Sequence, residues 1–464
     1  MSFLAEGNNS KHRGYMNRRS ASWFLFLLGT FSMTQIKVVG SIGISELVIL
    51  VIAPYVFIQD YRILRHDGFL PIVWLSILTC FGCVVASVVN HTYFYNFLRG
   101  FAAPCMVFAI LVVGHRLVRQ SMDGYKWFCL GMALTWIINI FVFQRGVEAE
   151  GWAGGASGME AVELIVSGPL FWISRLQHLL QVPISGWYLR TPLPYSILAP
   201  IFMFFFSALT TSSGRSAAVG AFGSVMLVIL GGKKRAQMMR LSKNFWVLAI
   251  SGFVAAQFLA FIYKQAATTG VMGEQARTKY ERQVKDESKG LLGILMGGRI
   301  EFFYGIYAAS KKPIVGYGPW ALDIYGYYGE FLAKYGYAED YESYYKTKEF
   351  QRRSGHTYVR HLGAHSHIIG QWLQCGIFGL IFWIYVLCQI VRFFRRDLAT
   401  VPQWYGMLAV VTPGLLWNIF FSPFSDRVSE VMFMVFILMA RAVRLGRVQL
   451  PPEMIYEIER TERS

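Results

Sequence analysis

The sequence carries little charge for its length. Charged residues make up 15% of the 464 residues, whereas hydrophobic residues make up 55% and the mean hydropathy is +0.40. A soluble domain carries about 25% charged residues, so this chain lacks the polar side chains that would cover a water-facing surface. The same composition excludes a disordered chain and a coiled coil. It predicts a membrane protein.

Cysteine is also scarce, and its placement argues against cross-links. All six cysteines lie inside apolar stretches, which favours buried thiols over disulfides or metal ligands. A disulfide-stapled secreted domain is therefore excluded. The cysteines are Cys80, Cys83, Cys105, Cys129, Cys375 and Cys388.

The sequence motifs of soluble cofactor enzymes are missing as well. There is no Walker A, no dinucleotide-binding glycine fingerprint, no His-Glu-x-x-His and no Gly-x-Ser-x-Gly. We therefore expect no cofactor.

The hydrophobic residues are gathered in runs of nearly membrane-spanning length. A basic cluster precedes the first run, which has no small-residue cleavage site, so we expect a retained anchor rather than a signal peptide. The eleven clear runs are 23–36, 41–58, 69–89, 94–114, 127–143, 195–209, 217–230, 245–263, 369–393, 405–421 and 431–440.

The basic residues predict which ends of these runs face the cytoplasm. The net charge is +17, but Lys and Arg stand in short clusters between apolar runs, as the positive-inside rule produces, and no nucleic-acid partner is expected. Both termini are predicted to be cytoplasmic, which requires one more crossing between residues 144 and 194. The best candidate is the weaker segment 160–180, with a re-entrant or surface helix as the alternative.

The expected fold is all-α: a polytopic membrane protein of about 12 transmembrane helices with one large outer loop. We predict N-terminal transmembrane helices (1–264), the outer loop (265–364), C-terminal transmembrane helices (365–445) and a cytoplasmic tail (446–464). The loop holds nine tyrosines between residues 317 and 345. A connection of this length is more often functional than passive.

Three arginines on the predicted outer side are candidates for binding an anion. Arg215 lies in a very short turn between two runs, where its guanidinium either grips phosphate oxygens or reaches lipid headgroups. Arg299 opens an amphipathic stretch (299–309), with an ordinary solvated charge as the alternative. Arg277 is favoured as a solvated charge and is kept as an accessory candidate.

Four histidines precede or open the run that begins at residue 369: His356, His361, His365 and His367. No carboxylate or cysteine accompanies them at ligand spacing, so no metal is expected. His365 and His367 are predicted to open a helix at the membrane surface. A neutral imidazole there can accept a proton near neutral pH, which makes His365 the candidate base and His367 an accessory residue.

Two further charges lie near the outer ends of their runs, Glu46 and Arg99. A charge at mid-membrane costs roughly 2.5–3.5 kcal/mol. This favours pairing of Glu46 with Arg99, and substrate contact is the alternative.

Three segments together resemble the O-antigen ligase and O-antigen polymerase family. The stretch 365–380, HSHIIGQWLQCGIFGL, resembles its signature of His, then Asn, Ser or Gln, then nine residues and Gly-x-x-Gly. The Ser-Ser-Gly-Arg turn at Arg215 resembles its Ser/Arg turn. Gly298-Arg299 followed by PIVGYG at 313–318 resembles its outer-loop arginine and Pro-(Leu/Ile)-x-Gly-x-Gly segment. Leu380 departs from many ligases, which have Thr there, and Gly214 intervenes before Arg215.

The resemblance implies a metal-independent, inverting membrane glycosyltransferase of the GT-C-like type. Its donor would be a glycan on undecaprenyl diphosphate at the outer face of a bacterial inner membrane. Arg215 and Arg299 would hold the diphosphate and His365 would be the base. The partners would be the lipid-linked glycan, the bilayer and other polysaccharide-assembly proteins.

Within that family, a polymerase adding to a lipid-linked repeat unit is favoured over a ligase acting on lipid A-core or another acceptor. A lipid-linked oligosaccharide transporter is the rival from another class. Such transporters tend to show internal repeats and midplane charges, and neither is found in this sequence.

Overall fold

A computed structural model describes four stretches of the chain: 17–141, 300–335, 361–393 and 402–450, with short gaps at 32–34, 38–40, 423 and 425–426. A few single residues elsewhere are also described. The predicted crossings at 160–180, 195–209 and 217–230 lie outside these stretches, as does nearly all of 245–263.

The described chain is mostly helical. Three of its helices are long and apolar enough to cross a membrane: Ser45–Asp67, Leu70–Val89 and Phe94–Gln120. In chain order the helices are α1 (Arg18–Thr30), α2 (Ile44–Asp67), α3 (Leu70–Val89), α4 (Phe94–Gln120), α5 (Tyr125–Phe141), α6 (Ile300–Lys311), α7 (Tyr327–Lys334), α8 (His367–Cys375), α9 (Ile377–Arg392), α10 (Pro402–Phe421) and α11 (Arg427–Arg444).

The first two predicted runs differ from the helices that form. Helix α1 begins five residues before the run at 23–36, because Asn17 caps its first turn by accepting from the Ser20 amide at 2.8 Å. It ends at Thr30. Two short antiparallel strands follow, β1 (Gln35–Lys37) and β2 (Ser41–Gly43). This two-stranded sheet is an exception to the all-α expectation.

Helix α4 lies at the centre of the described bundle. Its middle is buried on nearly every side, from Met106 to Val118. Gly114 lets α11 approach closely, since a methyl group there would stand 2.8 Å from Met432 Sδ and 3.3 Å from Val435. Small residues at such crossings allow backbones to meet in membrane helices.

The two ends of the bundle are distinguished by the residues that lie there. At one end, which we call the basic end, Arg18 pairs with Asp123 at 3.0 Å and Arg119 Nε lies 2.8 Å from Asp67. The Arg447 guanidinium also lies against Gly68 at this end. The opposite end, which we call the loop end, holds the end of α3, the start of α4 and the segment between α6 and α7.

Candidate functional site

The predicted crossing 369–393 is wrong as a single helix. The chain breaks at Gly376 into α8 and α9, which pack as an antiparallel hairpin: a methyl group on Gly379 would lie 2.4 Å from Gln371 O, and His367 contacts Trp383 with ring centroids 5.0 Å apart. Helix α8 has nine residues, about 13 Å, which is too short for a bilayer core of about 30 Å. The hairpin turns back within the bundle.

Two segments of the family-like pattern, about 60 residues apart, dock on each other at this turn. The Ile377 amide donates to Ile314 O at 2.9 Å, and the Tyr317 amide donates to Leu373 O at 2.7 Å. The Trp372 indole donates to Pro313 O at 2.9 Å. The PIVGYG segment is therefore seated on the hairpin by three hydrogen bonds.

Glycine permits this contact. Gly376 has φ 63° and ψ −148°, and a methyl group on it would lie 2.1 Å from Ile314 O. Gly316 has φ 76°, and its methyl would lie 2.7 Å from Leu373 O. A side chain at either position is both strained and blocked. The glycines of the pattern thus bring the two backbones together.

The residue after the candidate base caps α8. The Ser366 hydroxyl accepts from the Ile369 amide at 3.3 Å and donates to Ile419 O on α10 at 3.0 Å. His365 itself is half-buried just before this cap. A helix does begin here as predicted, but its first residue is His367, so His365 lies two residues before the helix rather than opening it.

Helix α6 packs beside the same segment. A methyl group on Gly305 would lie 2.7 Å from Ala364 Cβ and 2.8 Å from Ile369. The Phe302 ring contacts Phe421 at the end of α10, with ring centroids 5.4 Å apart. Helix α6, whose first residue follows Arg299 directly, thus joins the elements around His365.

His367 is buried rather than placed at the surface. Its Nε2 lies 3.3 Å from the Glu430 carboxylate, and the imidazole is completely buried. Trp383 and Phe424 enclose the ring, with centroids 5.0 and 4.9 Å away. The Asn418 amide donates to Glu430 at 3.0 Å. The pair therefore ties the start of α8 to α11 and α10.

A cavity adjoins this pair and shares Trp383 and Phe424 with it. Its other walls mix hydroxyl and amide groups with apolar side chains: Ser76, Thr79, Pro104, Val107, Gln371 and Phe382.

The expected pairing of Glu46 with Arg99 is wrong. Glu46 is buried and forms a two-point ion pair with Arg427, at 2.9 and 3.1 Å. Arg427 lies just before the predicted run at 431–440, so charge spacing along the sequence did not connect the two. Arg99 instead stacks on Trp320, with its guanidinium carbon 3.6 Å from the ring centroid.

Arg215, Arg299 and Arg277 lie outside the described residues. Among the described residues, His367 lies against Glu430, and Arg99 lies against Trp320, just after the PIVGYG segment. Across the described stretches, no group of three or more His, Cys, Asp and Glu side chains is arranged to hold a metal ion. The six cysteines, all described, form no disulfide, and Cys388 is exposed rather than buried.

Two titrating groups beside the site have shifted pKa values. Burial, followed by a hydrogen bond with Tyr327, raises the pKa of Tyr317, whose hydroxyl donates to Ala308 O at 2.8 Å. A hydrogen bond from Tyr307 and the charge of Lys311 lower the pKa of Glu330. Tyr317 is thus a neutral donor in the loop, and Glu330 an ionised acceptor that joins α6 to α7.

Sequence reasoning missed Glu430, Asn418 and Trp320. Glu430 stands immediately before an apolar run, where an ionisable residue is a warning of a functional or structural partner. Trp320 belongs to the aromatic-rich outer loop, but its partner Arg99 lies more than 200 residues earlier in the chain, so the sequence did not indicate their stacking.

No family model, no curated protein and no solved structure matches this chain.

Proposed function

We propose that this chain is a membrane glycosyltransferase that takes its glycan from a polyprenyl-diphosphate donor. The reaction would transfer a growing glycan from undecaprenyl diphosphate to a lipid-linked repeat unit at the outer face of the cell membrane. The full chain would form a GT-C-like bundle of about twelve transmembrane helices, and its chemistry would be inverting and metal-independent.

One observation carries this proposal: the docking of the PIVGYG segment on the Gly376 turn of the α8–α9 hairpin. Both segments were singled out by resemblance to one family, and that resemblance uses no information about their contact. Their three hydrogen bonds and two glycine contacts make one structural unit of them. The start of the same hairpin carries His365.

The chemistry needs a base and a cationic clamp. In the proposed mechanism His365 takes the proton of the acceptor hydroxyl, whose oxygen attacks the anomeric carbon of the donor sugar. The bond to the diphosphate oxygen breaks, and undecaprenyl diphosphate leaves with the electron pair. Arg215 and Arg299 would stabilise the charge that develops on this leaving group. The contacts of Phe302 and Gly305 with the elements around His365 support this role for Arg299.

The direct test is glycan transfer by the purified chain in liposomes that contain the lipid-linked donor and acceptor. We expect His365→Ala to lose transfer while His66→Ala, a histidine change at the basic end, keeps it. A general base typically contributes about 10²–10⁴-fold. Full transfer by His365→Ala would remove His365 as the base.

The clamp is tested with a matched set of arginine variants. Arg215→Ala and Arg299→Ala are each expected to lose more activity than Arg277→Ala. Equal activity of the three variants would contradict the clamp.

A deletion strain separates the polymerase from the ligase. Single repeat units on the acceptor indicate loss of a polymerase, whereas lipid-bound polymer with a bare acceptor indicates loss of a ligase. Movement of the lipid-linked glycan across liposomes without transfer would instead identify a transporter.

A further inference from the structure

The segment between α6 and α7, residues 313–326, has an unusual surface for a loop. Its sequence, PIVGYGPWALDIYG, contains a single charged residue, Asp323. That carboxylate is buried and accepts from the Tyr327 and Tyr328 amides at 2.9 and 2.8 Å, where it caps α7. The loop therefore exposes no charged side chain to its surroundings.

Large apolar side chains of the same loop point away from the protein. Ile314, Ile324 and Tyr325 are 71%, 68% and 63% exposed. Burying an Ile side chain is worth about 1.5–3 kcal/mol relative to leaving it in water. Exposed aliphatic and aromatic side chains in one uncharged loop fit a surrounding medium that is not water.

The loop runs alongside the membrane-spanning helices rather than above them. A methyl group on Gly100 would lie 1.9 Å from Pro319 Cβ, and Gly100 is six residues past the start of α4, about 9 Å along its axis. Ile314 bonds to the hairpin turn, where Cys375 O lies against Gly82 of α3. Gly82 is seven residues before the end of α3, about 10 Å inside it.

An exposed arginine lies directly on this loop. Arg99 is exposed and lies flat on Trp320, and no carboxylate among the described residues pairs with it. A stacked guanidinium keeps its in-plane N–H groups free to donate to a phosphate. Around it the first turn of α4 presents Tyr93, Phe94 and Tyr95 outward. Aromatic side chains and arginines of this kind are typical of the membrane interface.

We propose that the 313–326 loop is seated in the interface of a phospholipid bilayer, with Ile314, Ile324 and Tyr325 among the acyl chains and Arg99 bound to lipid phosphate. The surface of α3 that exposes Phe81 and Val88 adjoins this loop, because Gly318 packs against Ser87 near the C-terminal end of that helix. This placement is independent of the glycan-transfer reaction. A site next to the loop would open sideways, toward lipid-borne molecules.

The test places a nitroxide label at Ile324→Cys in a Cys388→Ser background, with the full chain in nanodiscs of phosphatidylethanolamine and phosphatidylglycerol. Collisions with oxygen report lipid, and collisions with a water-soluble nickel chelate report water. Phe81→Cys, which is 57% exposed on α3, is the lipid reference. Lys311→Cys, whose native side chain is an exposed ion-pair partner, is the aqueous reference.

We expect the oxygen-to-nickel collision ratio at residue 324 to exceed that at 311 and to approach that at 81. A ratio equal to that at 311 would show the loop in water and overturn the proposal. Low collision rates with both reagents would show protein on this surface, for example a second copy, and would overturn it as well. Repeating the measurement at Tyr325→Cys guards against a local effect of one label.

Discussion

Gly376 connects backbone conformation directly to the arrangement of the site. Its φ of 63° and ψ of −148° turn α8 into α9, and the missing side chain leaves room for Ile314 O. Gly370, six residues earlier within α8, has ordinary space around it, since the nearest contact of an added methyl group would be Ala364 O at 3.6 Å.

These two glycines make a matched pair of substitutions. We expect Gly376→Ala to lower the melting temperature and displace the PIVGYG segment, because the methyl group clashes and the conformation is strained. Gly370→Ala is expected to be neutral or to stabilise by about 0.5–1 kcal/mol, as Ala is favoured over Gly within a helix. Thermal unfolding in detergent measures both. Equal melting temperatures would contradict the proposed role of the turn.

The His367–Glu430 pair is the second residue-scale feature with an energetic consequence. Both side chains are at least nine-tenths buried, and removing one partner takes this contact from the other. Removing one partner of a buried pair typically costs about 3–5 kcal/mol. We therefore expect His367→Ala and Glu430→Ala each to destabilise strongly and the double variant to cost less than their sum.

A double-mutant cycle of unfolding free energies tests this coupling. The exposed Lys311–Glu330 pair is the control, and Glu330→Gln should change stability little because solvent screens that pair. Additive effects of the two buried substitutions would show that the pair does not act as a unit.

At the scale of elements, an ion pair holds the start of α1 in place against the rest of the bundle. Arg18 pairs with Asp123 in the turn between α4 and α5, and the Ser121 hydroxyl donates to the same carboxylate at 3.2 Å. Burial acts to raise the pKa of Asp123, but the hydrogen bond and charge of Arg18 outweigh it, so this pKa lies below the ordinary value. A carboxylate of this kind stabilises the folded state while it is ionised.

We expect the contribution of Asp123 to be complete above about pH 4–5, near the unfolded carboxyl pKa, and to be lost as the pH falls through the depressed folded pKa. Its size is about 1 kcal/mol or less, because both side chains are partly exposed. Unfolding of the wild type and Asp123→Asn between pH 3 and 7 measures it. The stability difference between them should shrink on acidification, and a constant difference would contradict the assignment.

The α8–α9 hairpin shows why an element can be misread from its sequence. Residues 369–393 are continuously apolar, and hydropathy alone cannot tell one long helix from two short helices that pack on each other. The break depends on Gly376 meeting Ile314, a contact across about 60 residues. Helices α3 and α4 stay continuous: α3 follows its predicted run 69–89, and α4 begins with its run 94–114 and extends to Gln120.

At the scale of the whole molecule, the two ends of the bundle differ in charge. Arg18, Arg119 and Arg447 gather at the basic end, whereas the 313–326 loop lies at the other. The positive-inside rule predicts that the basic end faces the cytoplasm.

Cysteine labelling in intact cells tests this orientation in a Cys388→Ser background. A membrane-impermeant maleimide should react with Lys311→Cys at the loop end from outside. It should react with Leu445→Cys, 53% exposed just past α11, only after permeabilisation. The reverse pattern would invert the topology and remove His365 from the outer face.

The sequence by itself determined the helical, membrane-protein character of the chain, since low charge and long apolar runs leave few other solutions. It also indicated the two glycine-rich segments that prove to be in contact. Only the tertiary structure decided that Glu46 pairs with Arg427, that His367 is buried against Glu430, and that residues 369–393 fold back on themselves. Each of these depends on partners distant along the chain, and local periodicity carries no information about which distant surfaces meet.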